Sequence, residues 1–502
     1  MVTRELIWKS STLALIAVAL TACASDDSPT TDTTPGDSQL PPPGPLSMPC
    51  GPLNSGFPGD ERCILPPDPS LGIQLHVGPK DYTDQAEIDK FILQPGEEKT
   101  ECYHFSNPSP ETISFFRQVY RMRQGSHHLI IHTMLGGTTS PPEGWYDCYG
   151  PEGDGFMPIG GTQDGLSEFP PNGDIAPEDQ LLGRPLTANA PMIFELHFYN
   201  STTKPILREA WVNFEKKVVP AGQTMQILGG IFMGGGHGLS LPAGETQTLD
   251  YWCDNDLADR RVVSLFGHRH AHTERFSVWM NRGTEREELV YEDYNWHDTK
   301  ELIYNSRIDN GASDRATQTS GGYSGILTFQ PGDRIEWECE IDNTTDNENG
   351  VLPSEQPLTF ANEVYTGEMC MLFGSMVNNS VDPSTAGIAN FFWGNRTSVT
   401  PSGTTPPTAT IGGTPLGPWT LVIDALASDA TTVTVRFSTD GGNIWSDPVT
   451  VSDDSVPVAL IDPAIGSRVG DNGQTGLTVA FASGTFNTDN LWTAKTLCSS
   501  RR

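Results

Sequence analysis

Apolar and polar residues alternate along most of this chain with the two-residue period of β-strands. Residues 114–120, 193–199 and 431–437 are clear examples. Turn signals such as Pro95-Gly96 and Pro331-Gly332 separate these runs, and no long amphipathic helical pattern occurs. The pattern predicts an all-β protein built of β-sandwiches or jelly rolls.

The N-terminal residues predict export. Arg4 and Lys9 precede a short apolar run that ends at Leu20-Thr21-Ala22-Cys23. This ending resembles a bacterial lipobox, which makes 1–23 a lipoprotein signal peptide and Cys23 the lipidation site; a plain signal peptide with a chance cysteine is the alternative. Residues 24–72 are expected to be a disordered tether. We therefore expect a lipid-anchored protein of the bacterial cell envelope, on its periplasmic face or at the cell surface.

Composition narrows the possible functions. The 502 residues suggest three or four domains, and 51 Gly and 40 Pro disfavour coiled coils and helix bundles. The chain has 63 acidic and 30 basic residues, a formal net charge of −33, which argues against nucleic acid as a partner. Membrane contact is expected only through the lipid anchor.

A linker rich in Thr, Pro, Gly and Ser at 397–418 precedes a last β-patterned segment, 419–502. Residues 438–445 match the Asp-box hairpin pattern S-x-D-x-G-x-x-W. Because sialidase-type propellers need several such boxes, a single copy favours an accessory immunoglobulin-like sandwich over a glycan-binding sialidase relative. The nine cysteines, Cys23 set apart, leave an even number, which is consistent with disulfides in an exported chain.

The histidines carry the candidate chemistry. His127 and His128 are adjacent, while His268 and His270 alternate and so share one face of a strand. Such a pair can bind one metal ion, although an exposed polar face of a sheet is the simpler alternative. The helical zinc motif H-E-x-x-H is absent. A thioether added to imidazoles favours copper, and Met369 is a candidate, although a lone Met in an apolar strand is usually core.

The ordered set of short motifs over about residues 75–380 resembles the copper type II, ascorbate-dependent monooxygenases, the family of dopamine β-monooxygenase and peptidylglycine α-hydroxylating monooxygenase. The motifs, in chain order, are Cys102, His127-His128, 196–199, Cys253, 268–270, 331–339 and 368–370.

The resemblance implies two consecutive jelly-roll-like domains, here 73–223 and 224–396, each with one copper. The first copper would take His127, His128 and His197 and store an electron. The second would take the catalytic set, His268, His270 and Met369, where O2 and substrate react. The resemblance also implies disulfides Cys102–Cys148 and Cys339–Cys370. Proximity then suggests Cys50–Cys63, which leaves Cys253 with Cys498.

The chain departs from the peptide-amidating members at three positions. Phe266 replaces an Arg, and Met371 and Phe373 replace an Asn and a Tyr that hold a peptide carboxylate in that family. We therefore expect an apolar or aromatic substrate rather than a glycine-extended peptide. His132 could compete as a ligand of the first copper, but a hydrogen-bonded supporting role is the expectation. His272 and His297 are not expected to be ligands, and His237 is expected in a loop.

These observations predict a copper monooxygenase that hydroxylates a C–H bond of a small organic substrate. Its partners would be that substrate, O2 and an ascorbate-type electron donor. The alternative is a copper-binding or adhesive surface lipoprotein without turnover.

Overall fold

Most of the chain forms β-strands. The computed structural model describes residues 46–51, 53–134, 142–146, 156–163, 165–170, 173, 175–233, 239–255, 259–308, 321–322, 325–378, 399–413, 420–429, 432–438, 445–452, 456–461, 474–495 and 498–501. The predicted signal peptide, Cys23, Cys148, His237, the two ends of the predicted linker and the centre of the Asp box lie outside the described residues. The described part of that linker, 399–413, contains two strands. No helix in the described ranges is long and apolar enough to cross a membrane.

The first half, to residue 216, contains twelve strands and the only α-helix of the described chain, Gln85–Ile88. Two 3-10 helices occupy Asp60–Arg62 and Pro177–Asp179. The strands are β1 Gly72–Val77, β2 Ile92–Leu93, β3 Glu98–Ser106, β4 Ile113–Met122, β5 Ser126–Met134, β6 Gly144–Tyr146, β7 Phe156–Thr162, β8 Glu168–Phe169, β9 Leu182–Leu186, β10 Pro191–Tyr199, β11 Ile206–Leu207 and β12 Ala210–Lys216.

The second half extends from residue 226 to 378. Its strands are β13 Gln226–Met233, β14 Ser240–Leu241, β15 Thr246–Asp254, β16 Arg260–Arg269, β17 Thr273–Met280, β18 Glu288–Asp293, β19 Leu302–Ile303, β20 Gly321–Gly322, β21 Leu327–Phe329, β22 Arg334–Asp342, β23 Leu358–Phe360, β24 Gly367–Glu368 and β25 Cys370–Asn378.

The remaining strands follow residue 399. They are β26 Thr400–Ser402, β27 Ala409–Gly413, β28 Thr420–Ser428, β29 Thr432–Ser438, β30 Val449–Ser452, β31 Val458–Ile461, β32 Gln474–Phe481, β33 Leu491–Lys495 and β34 Cys498–Arg501. The predicted all-β class is therefore confirmed, with packed sheets throughout.

Each half has its own sandwich core. In the first half, the five-stranded sheet β6-β3-β10-β5-β7 turns Phe194, Phe198 and Leu129 inward against residues such as Phe115 and Phe214 of the larger sheet. In the second half, a core around Trp337 and Tyr291 lies between the larger sheet and the sheet β20-β18-β17-β22-β15-β34. A third core, around Trp492 and Phe437, belongs to the strands after residue 399.

One sheet continues through both halves. Its main path is β1-β12-β4-β9-β13-β25-β16-β19, and the parallel pairing of β9 with β13 joins the two halves. A hydrophobic cluster that includes Phe116 and Leu182 from the first half and Leu228 and Val263 from the second packs at the junction. The faces of the two halves that bear histidines are thereby held next to each other.

Strand β34 does not lie in the domain to which the sequence analysis assigned it. It does not pair with the last sandwich, although the sequence assigned it there, but extends the second-half sheet by pairing with β15. The register sets Cys498 opposite Cys253, and Cys253 is disulfide-bonded.

Two disulfides are described in full. Cys50 bonds to Cys63, and Cys339 bonds to Cys370 with an S–S distance of 2.07 Å. These are the pairings that proximity and the resemblance suggested, and Cys102 is disulfide-bonded as well. Disulfides persist in oxidising compartments, so they indicate an extracellular or periplasmic protein.

Candidate metal centre

A β-bulge brings the adjacent histidines of β5 to the same site. Adjacent residues of a regular strand point to opposite faces. Here His197 of β10 pairs with His128, but the next residue, Phe198, pairs with Ser126, so His127 is an extra residue in β5. This bulge lets both rings approach His197, with ring centroids 5.0 Å from His127 and 5.2 Å from His128.

The second half contributes His268, near the end of β16, and His270, just after it. His268 pairs across the sheet with Met371 of β25. The buried carboxylate of Glu368 accepts hydrogen bonds from the backbone N–H groups of His270, at 2.6 Å, and of Met369, at 2.9 Å. This carboxylate therefore fixes the Met369 peptide beside His270.

The five histidines form one group, which we call the histidine cluster: His127, His128, His197, His268 and His270. Ring centroids of His127 and His270 are 5.2 Å apart, and those of His128 and His268 are 4.9 Å apart. In each of these pairs one ring comes from the first half of the chain and the other from the second half. Ligand atoms lie within 4.8 Å of one another in two sets, His127/His197/His270 and His127/His128/His268. Either set could hold a metal ion, and each combines residues that the resemblance assigned to different coppers.

The cluster is buried and its ring nitrogens are poorly satisfied. No side chain in it is more than 6 % exposed. Within the described part of the chain, His127 Nε2, His128 Nδ1, His197 Nδ1 and both ring nitrogens of His270 have no hydrogen-bond partner. An unsatisfied buried polar group costs about 1–3 kcal/mol, so several in one place indicate a site built for a ligand of these nitrogens.

Burial also keeps the cluster in the form that binds metals. It lowers the pKa of His127, His197, His268 and His270 well below the usual range, and the neighbouring imidazoles act in the same direction. The neutral imidazole is the metal-binding form, because protonation occupies the lone pair that would bind the ion.

Carboxylates and one amide hold the rings in place. Glu98 lies 2.8 Å from His197 Nε2 and also accepts from the backbone N–H of Val364, so it links the two halves. Gln163 Oε1 lies 3.0 Å from His268 Nδ1. Such contacts fix the tautomer and orientation of a ligating imidazole.

The remaining sequence candidates lie around the cluster. His132 Nε2 lies 3.0 Å from Glu195, whose other oxygen lies 3.5 Å from His128 Nε2, so His132 contacts the cluster through a carboxylate. His272 is buried and its Nε2 lies 2.9 Å from the Tyr365 carbonyl oxygen. His297 is exposed. Met369 is 7 % exposed.

The sequence analysis missed the supporting residues Glu98, Gln163, Glu195 and Glu368. Two signals were available: Glu195 precedes His197 by two residues and therefore shares its face of β10, and Glu368 directly precedes Met369 in the motif 368–370. The others are ordinary polar residues of strands and turns, and only tertiary structure brings them to the histidines.

Comparison with known proteins adds little. No family model matches the sequence, and no curated protein matches it. Among solved structures, the cryo-EM structure of broad bean stain virus matches at 10 % identity over 56 % of this chain and 76 % of that one, with a TM-score of 0.21. A likeness this low carries no information about function.

Proposed function

We propose that this protein is a copper-dependent monooxygenase that hydroxylates a C–H bond of a small organic substrate with O2 and an ascorbate-type reductant. The observation that carries the proposal is the histidine cluster, in which five buried imidazoles from two β-sandwich halves present unsatisfied nitrogens to one another. The ordered motifs that resemble the copper type II monooxygenases supply the same residues from the sequence.

The donor set fits copper, as it fits other metals that bind imidazole, and it does not fit Mg²⁺ or Ca²⁺. The two sets of converging ligand atoms contain only imidazole nitrogens, whereas Mg²⁺ and Ca²⁺ prefer oxygen ligands. The backbone places two methionines next to the cluster. Met369 lies beside His270, and Met371 lies opposite His268 in the strand register. Thioethers favour Cu(I), so the five imidazoles and one methionine would suffice for two copper ions.

The chain's own residues would hold and shield the reaction. Bound copper would supply the one-electron steps that O2 reduction needs and that side chains cannot provide. Glu98, Gln163 and Glu195 orient the imidazoles, and burial of the cluster keeps bulk water away. In the overall reaction one oxygen atom enters the C–H bond, and the other leaves as water with two electrons and two protons from the reductant and solvent.

The cellular location of the protein is inferred from its disulfides and from its N-terminal residues. The disulfides place the chain outside the cytosol, and the lipobox-like ending at Cys23 would anchor it in a bacterial envelope by a lipid. A small reductant and O2 can both reach an enzyme in that compartment.

Copper loading and oxygen uptake test the proposal. We expect about two copper ions per chain by elemental analysis and ascorbate-dependent oxygen consumption by the loaded protein. His270→Ala should reduce both, because it removes a ring with two unsatisfied nitrogens, whereas His297→Ala, which removes an exposed imidazole outside the cluster, should leave both unchanged.

Two outcomes would contradict the proposal. Tight copper binding without oxygen consumption under any reductant would indicate a copper-binding surface protein instead. One zinc and no copper in the purified protein would exclude a copper enzyme.

A further inference from the structure

A cavity lies directly beside the histidine cluster. Its lining includes Ile130, Phe266 and Phe373. Ile130 and Phe266 lie two residues from His128 and His268 along their strands, so each shares a face with a cluster histidine. The rings of His268 and Phe373 are 5.9 Å apart, and those of Phe266 and Phe373 stack at 5.1 Å. A molecule in this cavity would therefore lie against Phe373, whose ring adjoins that of His268.

The cavity is small. Its volume is about 40 Å³, and since a water molecule needs roughly 10–15 Å³ by this measure, it has room for about three waters. That is the size of a carboxylate group and the carbon that bears it. The cavity thus suits the head group of a small molecule.

Arg184 supplies a buried positive charge to this cavity. The side chain is 6 % exposed and lines the cavity wall. Its Nη2 donates to Ser375 Oγ at 2.7 Å and its Nη1 donates to the Ile159 carbonyl oxygen, but its Nε has no hydrogen-bond partner in the described ranges. Glu301, which lines the same cavity, interacts with it electrostatically, but no direct ion pair between the two side chains is described. Buried charges in proteins are normally paired directly, so the unpartnered Nε–H of this guanidinium remains available to an anion.

The other ionisable groups of the cavity compensate this positive charge only in part. Burial raises the pKa of Glu301 to about 7, despite the nearby Arg184. Burial likewise raises the pKa of Tyr120, whose hydroxyl donates to Gln118 Oε1, so this hydroxyl stays neutral. Below neutral pH, where Glu301 is mostly protonated, Arg184 is thus the dominant charge in the cavity.

We infer that the cavity binds the carboxylate of a small organic acid through Arg184 and directs the acid's carbon chain toward His268. The Nε–H and the cavity side of the guanidinium would donate to the carboxylate, which matches their planar geometry. Calling this acid a substrate rests on the proposed function; the binding itself does not. The apolar walls at Ile130, Phe266 and Phe373 agree with the apolar substrate expected from the sequence, and Arg184 adds the acid.

A matched ligand series tests the charge. Isothermal titration calorimetry on the full chain, with and without bound metal, would compare butyrate, butan-1-amine and butan-1-ol. These probes share a four-carbon skeleton and differ in their head group. We expect butyrate to bind at least about tenfold more tightly than the other two, because a charge-assisted hydrogen bond is made only by the carboxylate. Preference for the amine or for the alcohol would overturn the inference.

Substitutions test the residue. Arg184→Gln should weaken butyrate binding by about tenfold or more, whereas Glu301→Gln, which changes the opposing acid in the same cavity, should leave it equal or tighter. If Arg184→Gln does not fold, Arg184→Lys keeps the charge, and the ligand series on the unaltered protein still decides. Equal butyrate affinity in a folded Arg184→Gln variant would refute the assignment.

The two proposals fail separately. Butyrate binding by a protein that takes up no copper would uphold the acid site and reject the monooxygenase. Copper loading and oxygen uptake without any butyrate preference would do the reverse.

Discussion

At the residue scale, Glu368 decides which methionine adjoins His270. One of its oxygens accepts from the backbone N–H groups of both His270 and Met369. Burial raises the pKa of this carboxyl to about 7, although those two hydrogen bonds favour the ionised form. Met371, by contrast, lies opposite His268 in the strand register. The backbones of two methionines therefore lie beside two different histidines.

A pair of matched substitutions distinguishes them. In Met369→Ile, the sulfur contribution to the X-ray absorption spectrum of the reduced copper protein should disappear, because Glu368 holds this residue at His270. In Met371→Ile it should persist. Each change keeps an apolar side chain of similar volume, so the free energy of unfolding should fall by less than about 1.5 kcal/mol.

The opposite pattern, with the signal lost only in Met371→Ile, would assign the thioether to Met371. A Met369→Ile protein that fails to fold would indicate that Met369 is an ordinary core residue and not a copper ligand.

Sequence reasoning found every histidine of the cluster but not their common location. The adjacent pair at 127–128 and the alternating pair at 268–270 are visible along the chain. Their mutual distances depend on how β5 and β10 face β16, which no local pattern encodes. The unsatisfied nitrogens, the most informative feature of the site, also appear only when the surrounding residues are in place.

At the scale of elements, the alternating pattern predicted strands well and pairings poorly. The predicted strand 114–120 lies inside β4, and 193–199 coincides with most of β10. The bulge at His127 could not be predicted, because it is a property of two strands in register rather than of one sequence. The same reason explains why the parallel β9–β13 pairing and the departure of β34 were missed.

The Cys339–Cys370 disulfide joins β22 to the first residue of β25, directly after Met369. Replacing both cysteines with serine should lower the free energy of unfolding by about 2–5 kcal/mol, measured by urea denaturation. It should also reduce copper content, because the strand that follows Met369 loses its covalent link to its neighbour.

The Cys50–Cys63 bridge provides the control. It lies in a small hydrophobic cluster with Leu46 and Trp211, and none of the five residues of the histidine cluster belongs to it. The double serine variant at these positions should lose stability but keep its copper. Equal copper loss in both double variants would show that general destabilisation, not the position of Met369, controls metal binding.

At the scale of the whole molecule, β34 covers an edge of the second half. Without it, the backbone groups of β15 at Asp250–Cys253 would have no strand beside them on the side away from β22. Exposed strand edges pair with other chains, so deleting residues 498–501 should cause self-association, seen as larger species in size-exclusion chromatography with light scattering. Cys253→Ser would be included in every variant so that no new thiol is created.

A charged edge serves as the control. Adding Thr248→Lys, on an exposed position of β15, should restore much of the monomer, because edge lysines oppose strand pairing. Copper content should stay unchanged in both variants, since the histidine cluster lies on other strands. A deletion variant that remains monomeric would show that the β15 edge is protected in another way.

The sheet that runs through both halves also determines how the molecule can move. The backbone N–H of Gln226 donates to the Leu181 carbonyl oxygen at 2.8 Å, and Arg184 reaches Ser375 across the same junction. A hinge motion that separated the halves would have to break these bonds and open an apolar seam. The histidines of the two halves therefore come together when the chain folds, and a molecule arriving from solvent meets a centre that needs no domain closure to be complete.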